Sequence, residues 1–488
     1  MRRLAAWPVR FQRPIGWRLI AEKDNVGMIG LAPASNDAEL VARYDGRAPR
    51  YTSYPTAPHF TARVGPGVYA RWLQELPADA PLSIYLHVPF CDRLCLYCGC
   101  NTSVVRLESS HRAYASALMR EIDHVAGLIG RRAKVAHVHW GGGTPTSLPG
   151  DCLVAIMDRL KERFALADDA EIAIEIDPTS LPADRREALK PMGVTRMSLG
   201  VQDFEPAVQR AIGREQSYEE TAACAEAARA LGVGSLNLDL IYGLPLQTAE
   251  SVAGTARRAL DLGPDRIAVF GYAHVPWMKR QQALLPEDKL PGAAERYAQL
   301  KAVHRVLTDE GGYEAIGLDH YALPTDGMAV AAASRRLKRS FQGYTTDVAP
   351  ALIGFGASSI GSLPQGYVQN APAAAAYTKE IEAGRLATVR GVELGGDDRL
   401  RRAVIERLMC ELEVDLERAA HEHGADAEPL KSIAAAGLAR FAADGLAEWD
   451  GRRIAVTERG RPFVRSVAAI FDAYLNRADP KFQHSRAV

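Results

Sequence analysis

An α/β fold built on a parallel sheet is predicted by two features of the sequence. The first is alternation. Six short apolar or β-branched runs (residues 83–90, 135–140, 171–176, 196–202, 235–242 and 266–272) are separated by stretches of helical composition such as 114–129, 153–164, 218–230 and 249–262. Six β-then-α units argue for parallel strands joined by crossover helices, as a doubly wound sheet or as a closed or partial (β/α) barrel. The second is placement: each run ends in cysteine, glycine, carboxylate, amide or histidine residues. The C-terminal ends of parallel strands are where such folds bind ligands.

The first 30 residues carry Arg2, Arg3, Arg10, Arg13 and Arg18 with Trp7 and Trp17. They lack the continuous apolar stretch and small-residue cleavage site of a secretory signal. Residues 1–41 therefore read as a disordered extension, with Met28 as an alternative start. Residues 42–80, rich in Tyr, Thr and Pro, read as an extended arm packed on the catalytic domain.

The first strand runs into Cys91, Cys95 and Cys98, a C-x3-C-x2-C triad short enough for one loop to wrap one inorganic centre. Electron-transfer clusters usually take four cysteines, so three would leave one iron of a cube open to substrate or cofactor. A zinc loop is the alternative, but no second C-x2-C or H-x3-5-H pair follows. Cys100 is one residue from Cys98 and awkward as a further ligand. Cys152, Cys224 and Cys410 are scattered singly, which is no disulfide framework and suits a reducing cytoplasm.

Behind the second strand come Gly141, Gly142, Gly143 and Thr144. Consecutive glycines let backbone N–H and C=O groups approach a zwitterionic amino-acid moiety closely. On the third strand Glu175 lies on the face opposite Ile172, Ile174 and Ile176, and Asp239 stands likewise between Leu238 and Leu240. In a barrel that face points inward. Tyr85 and His87, two apart on the first strand, share a face toward the cysteine loop.

Further on, Arg335, Arg336, Lys338 and Arg339 form a cationic run that is either a solvated face or a partner for an acidic substrate. From about residue 371 the chain turns to amphipathic helices, with Val404, Leu408 and Leu412 on one face and a hairpin at Asp450 and Gly451. This reads as a winged-helix-like cap. Its lack of basic excess, and 59 basic against 59 acidic side chains overall, give no electrostatic case for nucleic acid. No apolar run is long enough to span a bilayer.

The cysteine triad, with Tyr97 before its last member, resembles the signature of the radical S-adenosylmethionine (SAM) enzymes. The continuation Cys98-Gly99-Cys100-Asn101, the Arg50-to-Thr56 lead-in and the Phe341-to-Thr346 and Gly354-to-Gly361 motifs are similar to the oxygen-independent coproporphyrinogen III oxidase family. The resemblance implies a partial (β/α)6 barrel over residues 81–370 with a helical cap over 371–488. It implies a [4Fe–4S] cluster on Cys91, Cys95 and Cys98, with SAM chelating the open iron and two SAM molecules per chain. It assigns cofactor contacts to Tyr85, Tyr97, Gly142, Gly143, Thr144, Glu175, Gln202, Arg214, Asp239, Ala273 and Ile360, and catalytic roles to Tyr85, His87 and Glu175. The implied reaction takes hydrogen from the β-carbon of two propionates of coproporphyrinogen III, leaving vinyl groups and giving protoporphyrinogen IX. A cytoplasmic monomer reduced by a flavodoxin- or ferredoxin-type protein is the implied setting. The rival readings are a haem-binding relative without decarboxylase activity, against which the 50–56 and 341–346 motifs stand, and a zinc-stabilised interaction protein.

Overall fold

The computed structural model describes residues 36–475 and 484–486. The expected N-terminal extension lies outside them up to residue 35. Its last residues instead open a helix, Asp37–Tyr44, capped by the Asn36 side chain.

All six expected strands form: β1 (Leu82–Val88), β2 (Lys134–Gly142), β3 (Ala165–Ile176), β4 (Arg196–Gln202), β5 (Ser235–Tyr242) and β6 (Arg266–Gly271). They lie side by side in chain order, every neighbouring pair parallel. A seventh parallel strand, β7 (Ala351–Phe355), pairs with the outer edge of β1. Antiparallel strands extend both edges to twelve in all, so the barrel stays open. Sequence alternation missed β7 because it is five residues long and interrupted by Gly354, where a Cβ would meet the Ile360 carbonyl at 3.0 Å.

Alternation within strands sets the layers. Ile172, Ile174, Met197, Leu199, Leu236 and Leu238 are buried in the apolar core. The intervening residues (His137 and His139, Glu171 and Glu175, Arg196 and Ser198, Asn237 and Asp239) line a cavity. Period-two side-chain direction thus places one polar side chain after another on the concave face.

Two expectations are corrected. The domain boundary at 371 falls inside the sheet: Gly366–Asn370 pairs with Thr388–Glu393, and Tyr377 and Ile381 are buried in the main core. The cap therefore begins near residue 394, with helices Gly396–Glu411, Leu416–Glu422 and Glu428–Ala443 and three short strands. Two of those strands meet at the expected hairpin, where Gly451 takes a positive φ of 93°. The arm, too, enters the barrel core only in its second half, through Trp72, although Arg50 in its first half donates to the Gly271 carbonyl at the end of β6. Its first half joins the core of the cap, because Tyr44, Tyr51 and Tyr54 bury their rings there while their hydroxyls reach polar partners.

Asp444 anchors this docking. Its buried carboxylate takes Arg43 Nη1 at 2.8 Å on each oxygen and the Tyr44 hydroxyl at 2.7 Å. Breaking a buried, charge-assisted set of this kind costs about 3–5 kcal/mol. Asp444→Ala is therefore expected to lower the thermal midpoint by several degrees and to make the segment from Arg43 to Arg50 cleavable by trypsin. Limited proteolysis followed by mass spectrometry reads both the site and the rate.

Candidate active site

The cavity, about 850 Å3, runs from the cysteine loop across the ends of β2 to β6 to the segment around Arg339. That is near the top of the roughly 300–1,000 Å3 range of small-molecule sites.

The cysteine loop is held by close backbone packing. Gly143 N donates to the Val88 carbonyl and Thr144 N to the Phe90 carbonyl, both at 2.8 Å. A Cβ on Gly143 would lie 2.6 Å from the Phe90 oxygen and 2.9 Å from Cys91 Sγ. On Gly142, whose φ is +118°, it would meet the His87 ring at 2.8 Å, and on Gly141 it would meet Glu175 Oε1 at 2.7 Å. Three side chains that define the site are thus in contact with three bare α-carbons.

Each thiol has its own surroundings. Cys91 Sγ accepts from the Thr144 hydroxyl at 3.7 Å, and burial pushes its thiol up to about 11. Cys95 Sγ accepts from Arg214 Nη1 at 3.6 Å, a guanidinium that also grips Asp177 and the Gly200 carbonyl. Cys98 is drawn down to about 6 by the adjacent Cys100 thiol, against the effect of burial. Cys100 itself is exposed, and its carbonyl accepts from Lys279 Nζ at 2.7 Å. Among the described residues, no three His, Cys, Asp or Glu side chains close around one point as the ligands of a single ion do.

Glu175 is the centre of the polar wall. Its Oε1 accepts from His139 Nε2 at 3.1 Å and its Oε2 from Gly142 N at 3.2 Å. His139 Nδ1 in turn accepts from Arg196 at 3.5 Å, which fixes the tautomer, and Arg196 is paired to Glu171 at 2.9 Å. Burial alone would raise Glu175, yet the hydrogen bonds it accepts from His139 and Gly142 hold it below the usual carboxylate range. Asp239 moves the other way: burial and then the Glu175 charge push it up, while Ser198 and Asn237 donate to it at 3.0 and 2.8 Å. Two carboxylates on one wall thus differ in protonation tendency, an arrangement suited to separate tasks.

Of the residues singled out in the sequence, Tyr97, Gly142, Gly143, Thr144, Glu175, Gln202, Arg214, Asp239 and Ala273 line the cavity with the three cysteines. Gln202 ends β4 in a left-handed conformation (φ 68°), uncommon for a non-glycine and frequent at functional sites. Tyr85, His87 and Ile360 are not among the residues that line the cavity. The His87 Nε2 faces the Asn101 carbonyl at 3.1 Å and so carries the hydrogen, while Nδ1 accepts from the Tyr85 hydroxyl at 3.0 Å. With both nitrogens engaged, and burial lowering its affinity for a further proton, His87 serves as the support under Gly142. Ile360 packs in a small apolar cluster with Phe341 and Tyr367. The sequence reading missed His137, His139, Glu171, Arg196 and Ser198. The parity that placed Glu175 and Asp239 on the inner face finds each of them at a two- or four-residue offset or on the next strand.

Behind β1 sits a buried carboxylate, Glu121, which accepts from Gly356 N (2.8 Å), Tyr377 (2.7 Å) and Asn370 (2.6 Å). It fixes the turn that offers the Ser358 hydroxyl to His87 at 3.3 Å. Burial pushes Glu121 up to about 7 despite those donors.

Known proteins share these features. The Radical SAM superfamily matches residues 85–259, and the HemN C-terminal domain matches residues 394–463. The oxygen-independent coproporphyrinogen III oxidase of Bradyrhizobium diazoefficiens is 52% identical over 453 residues, covering 92% of this chain and 100% of that protein. That of Paracoccus denitrificans is 43% identical over 436 residues, 89% of this chain and 96% of the other. Among solved structures, coproporphyrinogen III oxidase (HemN) from Escherichia coli, described as a radical SAM enzyme, superposes with a TM-score of 0.83 at 37% identity, over 90% of this chain and 99% of that one.

The glycine contacts and the buried Glu121 each carry an expected outcome. Gly143→Ala must displace Phe90 or Cys91, so iron and sulfide content after anaerobic reconstitution is expected to fall at least several-fold while the far-ultraviolet circular dichroism is unchanged. Glu121 has a folded pKa above its ordinary 4.5, so its stabilising contribution is complete below about pH 4.5 and is lost as pH rises through 7. That contribution is worth about 3 kcal/mol. The urea midpoint is expected to fall between pH 5.5 and 8, and Glu121→Gln to flatten that dependence.

Proposed function

This chain belongs to the oxygen-independent coproporphyrinogen III oxidases, a radical SAM family, and from that premise we infer the roles by which its residues serve the reaction. The chain is an oxidoreductase of porphyrin biosynthesis that decarboxylates two propionate side chains of coproporphyrinogen III to vinyl groups, giving protoporphyrinogen IX. The observation that carries this is 52% identity along 92% of the chain. The haem-binding alternative is not favoured.

We assign the [4Fe–4S] cluster to Cys91, Cys95 and Cys98. Support comes from three soft thiol donors at one end of one cavity, and from a glycine edge that a Cβ would fill. Together the cluster and SAM supply one electron to the sulfonium and a 5′-deoxyadenosyl radical that takes a hydrogen atom from the propionate β-carbon. Loss of CO2, with the remaining electron passed to a one-electron acceptor, would then leave the vinyl group.

The protein contributes placement and exclusion of water. Gly142 and Gly143, which line the cavity without side chains, receive the methionyl part of SAM. Glu175, held ionised by His139, accepts from the cofactor's cationic or hydroxyl donors, and Asp239 with Gln202 faces its ribose. Arg214 steadies the thiolate of Cys95 by a charge-assisted hydrogen bond. Tyr85 and His87 act by positioning: they hold Gly142 from behind. Two SAM molecules per chain, a flavodoxin- or ferredoxin-type donor and a cytoplasmic monomer complete the reading. The cavity's size and the family resemblance support the first, and no helix among the described residues is long and apolar enough to cross a membrane.

The test is an anaerobic assay of the reconstituted chain with coproporphyrinogen III, SAM and a reductant. Two CO2 and one protoporphyrinogen IX per substrate are expected, with 5′-deoxyadenosine formed alongside, and Cys91→Ala should abolish both. Cleavage of SAM by the reduced protein without any decarboxylation would overturn the assignment.

A further inference from the structure

The cavity wall carries more positive charge than its own carboxylates answer. Arg214 is paired with Asp177, and Arg196 with Glu171. Arg266 is paired with Asp326 at 2.6 Å and Lys338 with Glu406 at 3.3 Å. Arg93 donates to the Glu215 carbonyl and Arg402 lies over the Tyr367 ring, whereas Arg50 and Arg339 stand together. Arg50 comes from the arm and donates through Nη2 to the Gly271 carbonyl, 2.7 Å away at the end of β6. Arg339 comes from the hairpin of Lys338–Ser340 with Gly343–Thr345 and donates through Nε to the Arg50 carbonyl at 3.3 Å. Its guanidinium lies 4.3 Å from the centroid of the Tyr344 ring.

One carboxylate faces both guanidiniums, Asp319. It stands 3.8 Å from Arg339 Nη2 and is already engaged by His320 Nδ1 at 2.8 Å. Burial would raise its pKa, but the Arg339 charge and His320 hold it well below the usual range, so its single charge is fully committed. The Arg339 side chain is 3% exposed, and its Nη1 is buried with no hydrogen-bond partner. A buried guanidinium nitrogen without an acceptor is costly unless something else supplies one.

Both arginines line the cavity. We propose that Arg50 and Arg339 form an anchor for a substrate carboxylate, a propionate held away from the cysteine loop while another reacts. Guanidinium forks suit this because they bind carboxylates bidentately. The anchor rests on the family's substrate, a ring bearing several propionates, and explains how one cavity end grips the ring while the other does chemistry. It also divides the cationic run: Lys338 and Arg339 face the cavity, whereas Arg335 and Arg336 are exposed and Arg335 pairs with Glu413.

The test uses full-length reconstituted protein and the variants Arg339→Gln, Arg339→Lys and Arg50→Lys. Losing charge-assisted bonds worth roughly 1.5–3 kcal/mol corresponds to about a 10- to 100-fold change. Arg339→Gln is expected to raise the KM for coproporphyrinogen III by that factor and to weaken binding of coproporphyrin III, titrated by fluorescence, in parallel. The KM for SAM and the iron content should stay unchanged. The lysine variants, which keep charge but lose the fork, should fall between and serve if the glutamine variant does not fold. Unchanged coproporphyrin affinity in all three, or equal loss of SAM affinity and iron, would overturn the anchor. A wild-type protein that binds coproporphyrin through Arg339 but does not decarboxylate coproporphyrinogen would instead overturn the assigned reaction and leave the anchor standing.

Discussion

The glycines at the end of β2 pack against Glu175, the His87 ring and Cys91 at distances that leave no room for a Cβ. That contact decides where the thiols stand relative to the polar wall. Gly143 and Thr144 fix the loop through backbone hydrogen bonds to Val88 and Phe90, Gly142 offers its N–H to Glu175, and the His87 ring packs against Gly142. Since backbone and glycine contacts have no rotamer freedom, the site is preorganised by its scaffold.

Around that fixed end the rest of the chain closes the cavity. The arm joins the core of the cap through three tyrosines and then crosses to the end of β6, where Arg50 donates to Gly271. The hairpin carrying Arg339 lies against both. These segments come from outside the parallel sheet, so cavity walls that need solvent exclusion depend on long-range packing, not on any one βα unit. A radical that attacks most C–H bonds demands that enclosure.

The sheet was legible because each strand carries a run of apolar or β-branched residues for the core face, and all six expected strands form. So was the chemistry, since C-x3-C-x2-C and Gly141 to Thr144 concentrate unusual residues at strand ends. Other features depend on contacts between distant residues. Strand β7 is short and broken by Gly354, the cap boundary is hidden because Thr388–Glu393 completes the sheet, and the arm's tyrosines gave no sign of which core they would enter. His139 and Arg196 were missed although they obey the parity that found Glu175.

That three cysteines bind the cluster and leave one iron for the amino and carboxylate groups of SAM is the claim everything else serves. Electron–nuclear double resonance on the reduced, anaerobically prepared chain tests it directly, using SAM labelled with 15N at the amino group and 13C at the carboxylate. Hyperfine coupling from both labels, retained in Cys100→Ala, is the expected result. A cluster spectrum unmoved by SAM, or one that takes a fourth thiolate from Cys100, would contradict it.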